Sequence, residues 1–448
     1  MGTVSNVAGA GRFSMFRALR HRNYRLFFIG QGISLVGTWM QSIATSWLAF
    51  RLTGSELMLG VVAFSGQILT FLLSPVAGVM GDRFVRRHIL IAAQALSMAQ
   101  ALVLAAITMT GYVRVWHIIA LNLFLGLINA FEMPTRQAFV IEMLEDRSDL
   151  GNAIALNSGT FNGSRLIGPS IAGIIVALAG EGVCFLVNGL SYIASVLVLI
   201  MMNMPVREIA ARPRRIVVEI REGFKYVAGF HPIRDLILIV SMLSMVAMSF
   251  PVLFPFFASG VLHGGSRTYG FLVSANGLGA LAGTIFLAMR RNVLGLGRVI
   301  KNALIMFGSG LVLFSFSQNL YLSLAILSVV GFGMISVMAS CNTIVQTIVD
   351  EDKRGRVMSL YVMAFMGAAP LGSFLAGGVS SAIGAPLTLR IGGLLCVLAG
   401  AAFARRLPSL RNIIRPIYRR MGIITEVAVG MQAADEPASP PEYQEDRR

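Results

Sequence analysis

Arg165 falls near the middle of an apolar stretch, 151–179. An arginine at that depth in lipid costs at least about 2.5–3.5 kcal/mol, so it needs a partner or a wet cavity. Helical spacing puts Ser158, Asn162, Arg165 and Pro169 on one face, a polar stripe suited to a central cavity. A fixed guanidinium there can hold an anionic or catechol-like ligand through paired donors. An arginine bonded to carbonyls of neighbouring helices is the plainer alternative. The stretch 24–50 repeats the pattern: Gln31, Ser34, Thr38, Gln41, Ser42 and Thr45 share a face that a lipid-facing helix has no use for, and bonds between helices are again the alternative. Between 116 and 137, Asn122, Asn129 and Arg136 recur on one face, with Glu132 one turn before Arg136. Glu132 is the carboxylate nearest the midplane, so it and Arg136 are the candidates for proton coupling, with an i,i+4 ion pair as the plainer account. Asn276, near the centre of 268–289, completes the expected cavity set of Gln31, Thr38, Gln41, Asn122, Asn129, Asn162, Arg165 and Asn276.

Other chemistries find no residues to carry them. Lys225, Lys301 and Lys353 are followed by Tyr, Asn and Arg, so there is no G-x-x-x-x-G-K-[ST] loop for ATP. The five histidines form no H-E-x-x-H, and Cys184, Cys341 and Cys396 lie singly in apolar segments, so no metal centre, cofactor or disulfide framework is indicated. The chain is not expected to be an enzyme. No basic run is interleaved with stacking aromatics, which removes nucleic acid as a partner despite the net charge of +16.

The elements that must position these residues follow from composition. The chain of 448 residues is 56% hydrophobic and 13% charged, against about 25% charged in soluble domains. Its apolar residues gather into stretches of about 20, each long enough to cross a hydrocarbon core of about 30 Å as a helix. Twelve such spans are expected, near 24–50, 57–80, 88–110, 116–137, 151–179, 183–203, 233–260, 268–289, 298–317, 320–346, 357–381 and 386–406. A basic arm (1–23) precedes a first six-helix bundle (24–203); a surface connector (204–232) with an amphipathic EIREGFKYV leads to a second bundle (233–407) and a tail (408–448) expected to be disordered. With both termini cytoplasmic, all of the 37 Lys and Arg except Arg51, Arg114, Arg267, Arg390 and the intramembrane Arg165 fall on the cytoplasmic side. The halves repeat weakly: TRQAFVIEMLEDR at 135–147 and CNTIVQTIVDEDKR at 341–354 each lead into a Gly-rich helix.

The loop GVMGDRFVRRHIL at 78–90 carries Gly78, then Asp82-Arg83, then Arg86-Arg87, a pattern that resembles the loop signature of the major facilitator superfamily. The resemblance implies an all-α integral membrane protein with the major facilitator fold, twelve transmembrane helices in two six-helix bundles. Gly78 would allow close helix approach, and Asp82 would meet the positive N-terminal end of the eleventh span. Arg83, Arg86 and Arg87 would pair with Glu142, Glu145 and Asp146 as a conformational latch, the plainer alternative being that these arginines only follow the positive-inside rule. The family's second loop glycine is Val85 here. The string ALNSGTFNGSRLIGPSIAG at 155–173 resembles the Gly-Pro signature of the exporter branches, with Gly159 and Gly163 as a small-x-x-x-small pair and Gly168-Pro169 loosening the helix. LNLFLGLINA at 121–130 resembles the drug-antiporter signature, but Asn122 stands where that branch has an arginine.

The opening FRALRHRNYRLFFIGQGISLVGTWMQSIATSWL, with NAFEMPTRQAF and NGSRLIGPSIAG, is similar to the branch that includes the enterobactin (siderophore) exporters. That similarity implies efflux of a siderophore, drug or metabolite by alternating access, with protons as coupling ion, through a monomer in the bacterial inner membrane. A lysophospholipid flippase or uptake carrier is the alternative of the same fold, and a non-transporting scaffold of a secretion or signalling assembly the alternative of another class. Polar stripes on several spans argue against a scaffold.

Overall fold

Lipid offers no partner for a free amide, so each apolar stretch closes its hydrogen bonds on itself. The computed structural model describes residues 14–81, 84–144, 146–203, 216–290, 293–351 and 353–421. A 3-10 helix (Ser14–Arg20) leads into α1 (Arg22–Thr53), α2 (Glu56–Gly81), α3 (Arg86–Met109), α4 (Val115–Glu142), α5 (Leu150–Ala179) and α6 (Glu181–Met201). The connector supplies α7 (Ile216–Gly229). The second half then runs through α8 (His231–Ala247), the single turn α9 (Phe254–Phe256), α10 (Ser266–Ala288), α11 (Leu296–Phe316), α12 (Leu320–Ile348), α13 (Arg354–Ile383) and α14 (Ala385–Arg420). Among the described residues, 11 helical segments are long and apolar enough to cross a membrane. The polar side chains of α1 keep it out of that set, but its 32 residues span the same depth and make it the twelfth.

Two departures from the expected spans have local causes. The seventh span breaks after Ala247 into a 3-10 turn (Phe250–Leu253), α9 and a π turn (Phe257–Val261). Pro251 and Pro255 lack the amide hydrogens that a continuous helix there requires. At the other end of the chain, α14 continues through Pro408 and Pro416 to Arg420. The stretch 408–420, expected in the tail, is therefore helical, while 422–448 and the connector residues 204–215 lie outside the described residues.

The two halves mirror each other at one telling point. Gly180 (φ 82°, ψ 170°) joins α5 to α6, and Gly384 (φ 84°, ψ 151°) joins α13 to α14. Both dihedral pairs belong to a region open essentially to glycine alone. A single residue thus turns the chain between the fifth and sixth helices of each half, as a parallel repeat requires. In the first half α1 packs on α5 and α6, α2 on α4, and α3 on α4 and α6; in the second, α10 packs on α12, α11 on α12 and α14, and α8 on α13. The halves meet along two seams, α5 with α10 and α2 with α13.

Candidate functional site

Both seams are tight at the end of the molecule opposite the connector. A Cβ on Gly173 of α5 would come within 2.7 Å of the Ser266 carbonyl oxygen on α10, and one on Gly270 within 2.4 Å of the Pro169 carbonyl oxygen. Ser274 Oγ donates to the Leu166 carbonyl (2.8 Å) and Ser266 Oγ to the Gly173 carbonyl (3.2 Å). On the second seam, Gly60 and Gly377 are interlocked in the same manner, and Ser380 Oγ donates to the carboxylate of Glu56. Trp47 stacks on Tyr269 between the halves with ring centroids 6.1 Å apart. Contact between the halves continues as far as Gly277, whose Cβ would come within 3.1 Å of the Arg165 carbonyl oxygen; nearer the connector end of α5, nothing lies within 4 Å of a Cβ built on Gly163 or Gly159. The halves are closed at one end and diverge toward the other.

Arg165 stands where the seam opens. Its Nη2 donates to Oδ1 of Asn276 on α10 at 3.0 Å, so two residues of the expected cavity set meet across the halves. The guanidinium also lies over the Trp39 ring, 5.8 Å from its centroid, and Trp39 packs edge-on against Phe161. Among the described residues no carboxylate pairs with Arg165. Asn162 donates to the Ser158 carbonyl of its own helix (2.9 Å) and stays part-exposed beside the opening.

The polar face of α1 does something other than line that space. Gln41 Nε2 donates to Gln100 Oε1 of α3 (2.9 Å), and Gln41 Oε1 accepts from Asn188 Nδ2 of α6 (2.7 Å). Ser34 reaches Gln94 at 3.5 Å, and Thr38, though exposed, bonds the Ser34 carbonyl and approaches Tyr192 Oη at 3.4 Å. Gln31 is buried. Gln41 therefore binds inside the first bundle and does not line a central cavity. A polar stripe reports only that a face avoids lipid. The matching signal lay in Gln94, Ser97 and Gln100 on one side of α3 and in Asn188, Tyr192 and Ser195 on α6, where the sequence offers the partners.

On α4, Asn122 donates to the Val62 carbonyl of α2 (3.3 Å), which makes it a packing contact within the half, while Asn129 is half-buried. Glu132 is buried, accepts from Gln94 Nε2 (3.0 Å) and pairs with Arg136 at 3.4 Å, the expected i,i+4 contact. The glycine pair of α5 is also corrected: Gly159 and Gly163 mediate no close approach here. The crossings belong to Gly168, against Trp39 and the Val36 carbonyl of α1, and to Pro169, whose carbonyl meets Gly270.

In the loop signature, Gly78 lies in the last turns of α2, while Asp82, Arg83 and Glu145 lie outside the described residues. Arg86 pairs with Glu142 at 2.6 Å, tying the start of α3 to the end of α4. Arg87, expected on an acid, instead donates to the carbonyls of Leu199 and Ile200 at 2.7 Å each, closing the C-terminal turn of α6. Asp146 accepts from the amide and hydroxyl of Ser148, which holds its carboxyl below the ordinary carboxylate range. The loop acid that meets the basic arm is Asp149, bonded by Arg17 (3.0 Å) and His21 (3.2 Å). Sequence reading missed both Asp149 and Glu56, because each sits just outside an apolar run, at a helix start.

Comparison with known proteins agrees with this architecture. The family model described as transmembrane secretion effector matches residues 13–415. The chain is 25% identical over 396 residues to the staphyloferrin A transporter of Staphylococcus aureus, covering 86% of this chain and 97% of that one. It is 25% identical over 398 residues to the multidrug efflux pump Tap of Mycolicibacterium fortuitum, covering 86% and 93%. Among solved structures it is similar in fold to a bacterial homolog of the human lysosomal transporter Spinster in an inward-facing, occupied conformation (TM-score 0.69, 12% identity, 86% of this chain and 96% of that one). A bacterial homologue of the iron transporter ferroportin, also inward-facing, gives a TM-score of 0.65 at 17% identity over 85% and 98% of the chains.

Proposed function

The chain belongs to the transmembrane secretion effector family of the major facilitator superfamily, and from that membership we propose that it exports a small molecule by alternating access. The observation that carries the mechanism is the unequal seam: Gly173 and Gly270 interlock at one end while Gly163 and Gly159 face open space toward the other. Two bundles held together from one end to the level of Arg165 and Asn276 fit one of the two states that rocking about a central site requires. The connector end gathers the arginines and is assigned to the cytoplasm by the positive-inside rule. The conformation is then open to the inside, ready to load cargo, in the inner membrane of a bacterium with both termini cytoplasmic.

The cargo is a siderophore, drug or metabolite, a reading supported by similarity to a staphyloferrin A transporter and a multidrug efflux pump, and it binds where α5 and α10 part. Among the described residues Arg165 has no carboxylate partner, and it is shared between the halves through Asn276, so it is the group to which an anionic cargo brings the missing charge. Asn162, one turn before Arg165 on α5, belongs to the same proposed site. Protons are the coupling ion. Glu56 is exchanged between Ser380 and water when the outer seam parts, and Glu132 with Arg136 is the second candidate, answering only if its ion pair opens.

Whole-cell accumulation of candidate siderophores and dyes, with and without an uncoupler of the protonmotive force, tests the proposal. Expression should lower accumulation, and the uncoupler should abolish the difference. Accumulation that rises on expression would make the chain an uptake carrier; efflux indifferent to the uncoupler would remove proton coupling.

A further inference from the structure

At the connector end of the second half a cleft of about 710 Å³ opens beneath the C-terminal part of α14. Its wall is apolar, built from Leu236 of α8, Ile344 of α12, and Phe403, Leu407, Leu410 and Ile414 of α14. At its mouth stand Arg411 and Arg415, both exposed. Between positions 405 and 420 the chain carries Arg405, Arg406, Arg411, Arg415, Arg419 and Arg420 and no acid. Charge topology accounts for arginines at this end of the molecule. It does not account for an apolar chamber beneath them, because a solvated basic face has no need of one. The cleft also sits at the connector-side ends of α8, α12 and α14.

We propose that this cleft seats one anionic phospholipid of the connector-side leaflet, with an acyl chain against Leu236, Phe403 and Ile414 and the phosphate against Arg411 and Arg415. Apolar lining with a cationic mouth between helices on the basic side of a membrane protein matches that ligand in both parts. The bound lipid braces the extended end of α14 against α8 and α12. The site is separate from Arg165 and stands whatever the cargo is.

The test uses the purified full-length chain, relipidated with equal amounts of phosphatidylglycerol and phosphatidylcholine of matched acyl chains, with retained lipids counted by native mass spectrometry. One retained phosphatidylglycerol is expected, preferred at least about fivefold, the equivalent of one arginine beside an anionic headgroup. Arg411→Gln combined with Arg415→Gln should remove the preference. Ile414→Trp, which fills the cleft and keeps both arginines, should lower retention of phosphatidylglycerol; Leu407→Phe serves the same purpose if that variant fails to fold. Equal retention of the two lipids by the unaltered chain overturns the proposal. So does retention unchanged in the cleft-filling variants, since the arginines would then act only as a charged surface. Displacement of phosphatidylglycerol by inorganic phosphate alone would equally overturn it, marking a small-anion site.

Discussion

Glu56, in the first turn of α2, accepts a hydrogen bond from Ser380 near the end of α13, so a buried carboxylate of the first half is held by the second. In the proposed cycle, opening the end opposite the connector breaks that bond and hydrates the acid. A hydrogen bond to a charged group contributes about 1.5–3 kcal/mol. Glu56→Ala should therefore shift the balance toward the outward-open state by about tenfold or more. Distances between spin labels on the 54 and 384 turns would report it, and an unchanged distance distribution would remove Glu56 from the gate.

Arg165 bonds Asn276 and covers Trp39, and both contacts depend on the planar guanidinium. Arg165→Lys keeps the charge and loses the fork geometry. Transport of an anionic cargo should fall at least about tenfold, the loss of one charge-assisted hydrogen bond, while thermal unfolding of the purified protein stays close to that of the unaltered chain. If transport survives intact, Arg165 is only a structural tie between the halves.

The glycines of α5 make a paired prediction. Gly173→Val puts side-chain atoms into the Ser266 carbonyl, where even a Cβ has only 2.7 Å. The outer seam should then fail to close and transport should be lost in a protein that still inserts. Gly163→Ala meets open space and should leave detergent stability unchanged. A thermal shift as large in Gly163→Ala as in Gly173→Val would contradict the unequal seam.

Gln41 separates bundle packing from cargo binding. Gln41→Leu strips partners from Gln100 and Asn188, and each buried amide left unsatisfied costs about 1–3 kcal/mol. Unfolding temperature should drop, with transport per folded molecule retained. The opposite result, stability kept and transport lost, would return Gln41 to the cargo site.

Membrane orientation is open to a direct check. A reporter fused at Gly264, in the turn before α10, should be active only outside the cytoplasm. Cytoplasmic activity would invert the topology and with it the assignment of the open end.

Much of this architecture was legible in the residues themselves. Long apolar runs leave the backbone no option but helices, so twelve spans followed from hydropathy, charge and the loop at 78–90. The departures that sequence spacing did not anticipate, the break after Ala247 and the continuation of α14 through Pro408, are proline effects whose outcome depends on what neighbouring helices supply. What the sequence could not decide is which neighbour each polar face meets. Gln41 and Arg165 look alike as polar residues in apolar helices, yet one is consumed by Gln100 and Asn188 inside a bundle and the other stands at the seam between bundles. Helical periodicity gives the direction of a side chain about its own axis only; the rotation and partner of that helix come from packing all twelve together. For the same reason the closure through Glu56 and Ser380, residues 324 positions apart in sequence, belongs to the tertiary structure alone.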